Sequence, residues 1–397
     1  MRNFMICLCL LCSICEPVRA ANHPADSETG EKTKPSILWG YKGGFFVKTD
    51  DERFKLKIGG WAQMMWTGMI TDGDFSTWVK KDDTCTLKQD MRDAELTQNE
   101  FQLRRARMVI NATTFRHLHT KVVLEFLQEI PALYYFATYQ PIPELGVRVG
   151  QFKTPLSRHY LLIPWRRTFV SGALAMTQFN LGADHGVTLL GSFRNHLIEY
   201  EVGAFNGSRI YNPQDNTSFL LIGRLAVNPL GPVPMIESDL EGTPRPLLSL
   251  GLSAGYNPID YETTDYKQCT TESAHAEEVT LGADVTFIFR GLVATAELYY
   301  RGRLREAQDR LDALGFLVQT GYFVWPRRIE LAARTSMVRP DMAKSSSDRW
   351  EVSGVANWFI YDTQLELQLE WSFRQDIKPL AEDKRSHWAR LQLLFRF

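Results

Sequence analysis

The last ten residues, WARLQLLFRF (388–397), constrain the fold more than any other segment of the chain. Every second position is apolar and forms one face that ends on the terminal aromatic: Ala389, Leu391, Leu393, Phe395 and Phe397. Such alternation predicts a strand. Soluble domains seldom end on an exposed aromatic strand, whereas outer-membrane barrels typically do, because their assembly machinery looks for one. The segment therefore favours a transmembrane β-barrel.

The same alternation recurs along the chain from Ile37 onward. In 364–374, for example, one face holds leucine, tryptophan and phenylalanine, and the other holds glutamate, glutamine, serine and arginine. In a membrane barrel the apolar face contacts lipid and the polar face lines a wet lumen. Aromatic residues near the predicted strand ends fit interfacial girdles, namely Trp39, Trp61, Trp325, Trp350, Tyr361 and Phe397.

Sixteen candidate strands can be counted, and an even number is expected of a bacterial barrel. We predict an all-β fold, a transmembrane antiparallel β-barrel that occupies 37–397. The strands are predicted at 54–69, 98–113, 118–129, 133–140, 145–152, 185–193, 197–207, 217–228, 247–256, 278–289, 292–302, 313–323, 328–338, 348–360, 364–374 and 387–397.

The connections between these strands sort by length, as short periplasmic turns and long outer loops should. Short connections fall on the inside at 194–196, 290–291, 324–327 and 361–363, and long ones fall outside at 70–97, 153–184, 257–277 and 375–386. Two connections break the rule: the outer connection 130–132 is short, and the inner connection 229–246 is long and rich in proline.

The first residues predict export. Residues 1–20 carry Arg2, a short apolar stretch and the sequence Val18-Arg19-Ala20, which is typical of a signal peptide cleaved after about Ala20. A short membrane anchor is the alternative. Residues 21–36 are polar and predict a disordered leader. No later apolar run reaches the roughly 18 residues that a membrane-spanning helix needs.

Few chemical motifs are present. The net charge of −1 argues against a nucleic-acid partner, and no nucleophile elbow, phosphate loop or cysteine-rich metal spacing occurs. His117 and His119 flank a predicted turn and could share a metal, but a solvated pair is the simpler interpretation. We therefore predict no enzyme activity, metal or cofactor. Cys85 and Cys269 could pair or stay free, and the sequence leaves both possibilities open.

Several segments in order resemble the phosphate-selective porins, the O and P type. The resemblance runs from about Phe54 to Phe397 and includes FKLKIGGWAQ (54–63), FQLRRARMVINATTF (101–115), VRVGQFKTPLS (147–157) and GYFVWPRRIELAAR (321–334). It implies a sixteen-stranded, trimeric barrel that admits anions, in some members phosphate or polyphosphate. The inward strand positions hold no dense, regular run of arginines like that of the phosphate-selecting members, so the ligand stays open.

The third outer loop, 153–184, is the predicted constriction, because this loop folds inward in sixteen-stranded porins. Between Lys153 and Ala183 it holds four cations and no Asp or Glu. An unopposed basic loop in a narrow channel concentrates anions. The candidate constriction and anion-binding residues are Lys153, Arg158, Arg166 and Arg167, and the alternative places some of them on the lipopolysaccharide or trimer surface.

Strand alternation points further arginines into the lumen. Arg107 would lie opposite Glu125, where an ion pair that holds the strand register is favoured over a role in ion selection. The candidate lumen-wall residues are Arg105, Arg107, Arg224 and Arg334. Inward glutamates accompany them, so we expect anion preference to come mainly from the loop: Glu199, Glu201, Glu297, Glu330, Glu366 and Glu370.

The sequence thus predicts an outer-membrane porin, a passive diffusion channel for small hydrophilic solutes that prefers anions. Its expected partners are outer-membrane lipid, lipopolysaccharide, small anionic solutes and further copies of itself in a homotrimer. Three alternatives remain open: a non-selective general porin, an enzyme embedded in a barrel, and a structural barrel without an open lumen.

Overall fold

The computed structural model describes residues 36–81, 84–128, 132–207, 218–265, 270–305, 310–343, 348–377 and 384–397. The predicted signal peptide, almost all of the predicted leader and Cys269 lie outside these ranges, so the model tests neither the predicted cleavage nor a disulfide. Sixteen antiparallel strands form a closed barrel, as predicted, and the last strand pairs with the first over Arg385–Arg396 and Trp61–Asp72. No helix in the described ranges is long and apolar enough to cross a bilayer.

The barrel is formed by β3 to β18, and an additional hairpin, β1 and β2, precedes it. The strands are β1 Ile37–Tyr41, β2 Phe45–Thr49, β3 Phe54–Lys81, β4 Thr84–Thr114, β5 Leu118–Glu125, β6 Ala132–Ile142, β7 Leu145–Lys153, β8 Ala183–Phe193, β9 Ile198–Phe205, β10 Leu220–Val227, β11 Leu247–Asp265, β12 Thr270–Phe289, β13 Leu292–Arg305, β14 Leu311–Trp325, β15 Ile329–Arg339, β16 Arg349–Tyr361, β17 Leu365–Asp376 and β18 Lys384–Arg396.

Two features depart from the sequence prediction. Most of the residues predicted as loops at 70–97 and 257–277 instead lengthen β3, β4, β11 and β12. The β1–β2 hairpin was not predicted, and it pairs with the start of β3 beside the point where β18 ends. Polar hairpins can continue beyond a membrane, since strand pairing needs backbone hydrogen bonds and no apolar face.

The strand faces are inverted relative to a soluble protein. In β17, Leu369 and Trp371 are exposed on the outside, whereas Glu366, Gln368 and Glu370 are buried on the inside. The predicted terminal strand follows the same rule, with Leu391, Leu393, Phe395 and Phe397 exposed. This is the arrangement expected when the solvent outside a barrel is lipid.

The third outer connection folds inside the barrel. It contains α1 (Arg158–Leu161), a 3-10 turn (Pro164–Arg166) and α2 (Leu174–Phe179). The apolar face of α2 packs in the barrel interior against β13, β14 and β15, where Phe179 stacks on Tyr299 with ring centroids 5.5 Å apart. The long inner connection 228–246 enters from the opposite end and packs Leu240 against Phe323 and Phe359. These two segments fill one side of the barrel.

Candidate functional site

Carboxylates on the wall of β13 to β17 hold the inward loop in place. Glu297 accepts hydrogen bonds from the Ser157 hydroxyl and the His159 backbone amide, both at 2.6 Å. On β17, Glu370 accepts from the Ser171 amide at 3.1 Å and the Ser171 hydroxyl at 2.6 Å. These inward glutamates therefore hold the loop through neutral hydrogen-bond donors, and Glu370 also forms an ion pair with Arg390 of β18 at 2.8 Å.

The inner connection 228–246 contacts the inserted loop from the opposite end of the barrel and supports it. Glu237 accepts a hydrogen bond from the Thr168 amide at 3.1 Å and pairs with the buried His159 ring. Burial would raise the pKa of Glu237, but the interactions with His159 and the charge of Arg167 outweigh it and lower the pKa to about 2. Glu237 is thus an ionised group that joins the two inserted segments.

The four predicted constriction residues do not share one environment. Lys153 donates to the carbonyls of Tyr160 and Leu162 at 2.6 and 2.8 Å, and Arg158 is buried and donates to the Pro234 carbonyl at 2.6 Å. Arg167 donates to the Tyr160 carbonyl at 3.4 Å. Only Arg166 is exposed. Burial lowers the pKa of Arg158 and Arg167, and partial burial of the exposed Arg166 lowers its pKa as well, although arginine stays charged at neutral pH.

Three of the four predicted lumen-wall arginines form ion pairs. The predicted Arg107–Glu125 register is confirmed, with the two side chains 2.6 Å apart. Arg224 contacts Asp284 at 2.6 Å, and Arg334 contacts Glu351 at 3.0 Å. Arg105 differs, because its one hydrogen bond within the described ranges goes to the neutral Gln63, at 2.7 Å.

Simple alternation along β4 would put Arg104 on the face opposite to Arg105 and Arg107, but the structure does not follow this alternation here. A β-bulge makes Gln63 pair with Arg105 and Met64 pair with Leu103, which leaves Arg104 as the additional residue. Its guanidinium group points inward and donates to the Val170 carbonyl of the loop at 2.6 Å. The charges of Arg104, Arg107 and Arg167 all act on Arg105. The bulge thus concentrates arginines beside the loop.

On the side of the barrel that the inserted segments leave open, a cavity of about 440 Å³ lies between the loop and the strands near β3 to β7. We call it the basic chamber. No Asp or Glu side chain lines it within the described ranges, whereas seven cationic side chains do: Lys57, Arg107, Lys121, Arg148, Lys153, Arg166 and Arg396.

Most of the positive charge in the basic chamber is uncompensated. Arg107 pairs with Glu125, and Arg148 pairs with Glu201 at 2.8 Å. The other five cations have no ion pair with any described carboxylate, and Lys121 has no hydrogen bond to a described residue either. The sequence singled out Arg107, Lys153 and Arg166 separately but not the group as a whole, because its members come from β3, β4, β5, β7, β18 and the loop, which are far apart in the chain.

Aromatic rings contact several of these cations. The guanidinium groups of Arg166 and Arg396 lie 4.9 and 4.1 Å from the centre of Trp165. Arg107 lies 5.5 Å from Trp61, which faces the chamber and is 4 % exposed. Trp61 is therefore not part of an interfacial girdle. Cation–π contacts hold charged groups in position without cancelling their charge.

The fold matches porins of known structure. An outer-membrane protein of Vibrio cholerae, OmpT, aligns with a TM-score of 0.57 at 11 % identity and covers 87 % of this chain and 98 % of its own. The channel DcaP of Acinetobacter baumannii aligns with a TM-score of 0.56 at 11 % identity, covering 88 % and 99 %. The anion-selective porin of Comamonas acidovorans gives 0.55 at 11 % identity, covering 87 % and 100 %.

At these identities the likeness establishes the fold. No protein-family model matches the sequence, and no curated protein matches it significantly. The chain thus has the sixteen-stranded architecture of outer-membrane porins.

Proposed function

We propose that this chain is an outer-membrane porin, a passive diffusion channel for small hydrophilic solutes that prefers anions. The basic chamber carries the proposal, because it combines seven cationic side chains with no Asp or Glu side chain in its described lining. A channel selects ions through the charges at its narrow part, and uncompensated cations in a confined space concentrate anions.

The preference comes from the strand wall as well as from the loop. Of the four predicted loop cations, Arg158 and Arg167 donate to backbone carbonyls outside the chamber lining, and Lys153 donates to the carbonyls of Tyr160 and Leu162. Arg166 supplies the loop's accessible charge. Lys121 and Lys57 contribute positive charge from the strand wall of the basic chamber, and Arg105 contributes positive charge beside the loop.

The proposal also includes where the protein is located and how it assembles. The apolar outer face suits outer-membrane lipid with lipopolysaccharide beyond it, and the predicted signal peptide would direct export, with cleavage after about Ala20. Homotrimerisation and membership of the phosphate-selective porin family rest on the sequence resemblance. One of the similar structures, the V. cholerae protein OmpT, is described in a trimer form.

Two other functions fit the chain less well. A non-selective porin would need a balanced lumen, whereas four carboxylates of this barrel are engaged by the loop or by arginines of the strand wall, namely Glu297, Glu370, Asp284 and Glu351. A barrel-embedded enzyme would need an accessible histidine beside a nucleophile. His159 lies near Ser157, but its ring is fully buried and bonds Glu237.

The test is the zero-current potential of the purified protein in a planar lipid bilayer under a potassium chloride gradient. We expect a potential set by chloride. Lys121→Glu and Arg166→Glu should each move it towards the potassium potential, because each converts an unpaired cation of the chamber into an anion. The matched control is Arg327→Glu, since Arg327 is exposed on an inner turn outside the chamber.

A cation preference of the unmodified protein would contradict the proposal, and so would the absence of discrete conductance. An unchanged potential in both chamber variants would remove the basic chamber as the source of selectivity.

A further inference from the structure

The basic chamber has two kinds of lining, and a path for simple inorganic ions needs only one of them. One part is cationic, and another part is aromatic, formed by the side chains of Trp61, Tyr134, Phe136, Phe152 and Trp165. A site for inorganic phosphate needs hydrogen-bond donors and positive charge. Large rings beside those donors add apolar contact area, which benefits an organic anion.

Two donors of the chamber lining have no protein partner within the described residues. Lys121 has no partner among the described residues, and it lies close enough to Arg148 and Arg166 to be affected by their charges. The indole N–H of Trp61 is buried and makes no hydrogen bond within the described part of the chain. Buried polar groups are normally paired, and this unpaired N–H belongs to a side chain of the chamber lining.

The rings serve a second purpose besides contact. Arg148 lies 5.2 Å from the centres of both Phe136 and Phe152, and Arg107 lies 5.5 Å from that of Trp61. These contacts fix the guanidinium groups beside the cavity. A flat ring that entered the cavity would meet fixed cations and aromatic edges on neighbouring surfaces, while its acidic group reached Lys121.

The size of the chamber also favours an organic ligand. Its volume of about 440 Å³ falls in the range of roughly 300–1,000 Å³ that is typical of small-molecule pockets. A bare phosphate would fill little of this space. An aromatic ring with one or two carboxylates would occupy it and would present charge and apolar area together.

We propose that the basic chamber is a binding site for aromatic carboxylates, in which Lys121 and Arg166 bind the carboxylate and the ring packs against Trp61 and Phe136. This inference rests on the proposed porin function and specifies its solute class. Binding must stay weak, because a channel site has to release its solute.

The experiment measures the block of chloride current through single channels in a planar bilayer by added benzoate. Cyclohexanecarboxylate, which has the same charge and nearly the same size without an aromatic ring, is the matched ligand control, and inorganic phosphate is the second. We expect benzoate to block at concentrations at least about tenfold below either control, a difference of about 1.4 kcal/mol in binding free energy.

Three variants locate the site. Lys121→Gln should weaken the benzoate block by about tenfold, again about 1.4 kcal/mol. Trp61→Leu should remove the advantage of benzoate over cyclohexanecarboxylate. Arg327→Gln, on the exposed inner turn, should change neither. Because Trp61 is buried, a heat-modifiable shift in gel mobility must first show that its variant is folded. Lys121→Gln tests the same site without altering an aromatic contact.

The outcomes separate this inference from the proposed function. Equal block by benzoate, cyclohexanecarboxylate and phosphate, with chloride preference retained, would overturn the aromatic site and leave the anion porin. Tighter block by phosphate than by benzoate would also overturn it. Loss of anion preference in the unmodified protein would overturn the porin proposal itself.

Discussion

At the scale of single residues, the Arg107–Glu125 pair links two neighbouring strands of the barrel. The two side chains are 9 % and 3 % exposed, and Glu125 also accepts a hydrogen bond from the Ala106 amide at 3.0 Å. Both carboxylate oxygens are therefore used. The pair contributes little net charge to the lumen, and its role is to hold the register of β4 and β5.

Removing one partner of this pair should destabilise the barrel by about 3 kcal/mol or more, because the other charge is left buried and alone. We expect Arg107→Met and Glu125→Leu each to lower the urea concentration at which the folded barrel unfolds in detergent. The double variant should lose less than the sum of the two single losses. Strictly additive losses would show that the two side chains do not interact.

Arg104 illustrates what alternation misses at this scale. In Arg104-Arg105, simple alternation sends one arginine into lipid, which costs about 2–4 kcal/mol at the middle of a membrane. Because of this cost, two adjacent arginines in a membrane-spanning strand indicate a bulge that turns both of them inward. The position of the bulge, opposite Gln63 and Met64, depends on the pairing of two strands and cannot be inferred from one of them.

At the scale of elements, the unusual length of the connection 228–246 is explained by the contacts that it makes inside the barrel. A simple inner turn needs few residues: Arg290-Gly291 makes one in two, with φ values of 47° and 84°. The longer connection instead reaches into the barrel, where the Pro234 carbonyl accepts a hydrogen bond from Arg158 and Glu237 binds both His159 and Thr168. It supports the inserted loop.

We expect Glu237→Ala to release the loop, since His159 and the Thr168 amide lose their shared acceptor. Single-channel recordings should show larger or noisier conductance, and the barrel should unfold more readily. Glu241→Ala is the control, because Glu241 belongs to the same connection but its side chain is 76 % exposed. Quiet, unchanged conductance in Glu237→Ala would show that the loop does not need this support.

The sequence predicted the elements well where lipid imposes a pattern. All sixteen predicted barrel strands are present, because each must alternate to cross a membrane. The prediction was wrong where lipid imposes no alternating pattern. The extensions of β3, β4, β11 and β12 are polar enough to be predicted as loops, and β1 and β2 lie before the first membrane-spanning strand. The path of 154–182 inside the barrel was predicted, but not the backbone carbonyls that accept hydrogen bonds from all four predicted cations.

At the scale of the whole molecule, the charges are sorted between two sides of one barrel. On one side, several carboxylates are bonded to the loop or to arginines of the strand wall, as Glu297, Glu370 and Asp284 show. The unpaired cations gather on the opposite side, in the basic chamber. A net charge of −1 for the whole chain conceals this separation, which is why composition could not reveal it.

This separation predicts how selectivity depends on salt. The Debye length falls from about 10 Å at 0.1 M salt to about 3 Å at 1 M, so the field of the chamber cations should be screened progressively. We expect the chloride preference, measured from zero-current potentials at a fixed concentration ratio, to weaken steadily over this range. A preference that is independent of salt would point to direct ion coordination at one site.

The filling of one side of the barrel also bears on how such a protein can change over time. The glutamates that hold the inserted segments lie outside the chamber lining, whereas Lys153 both holds the loop and lines the chamber. Lys121 and Arg166 can be exchanged without removing a buried partner, whereas Glu237 and Glu297 cannot. If the chamber selects the solute as proposed, a change of solute needs substitutions at positions such as Lys121 and leaves the glutamates that anchor the inserted segments unchanged.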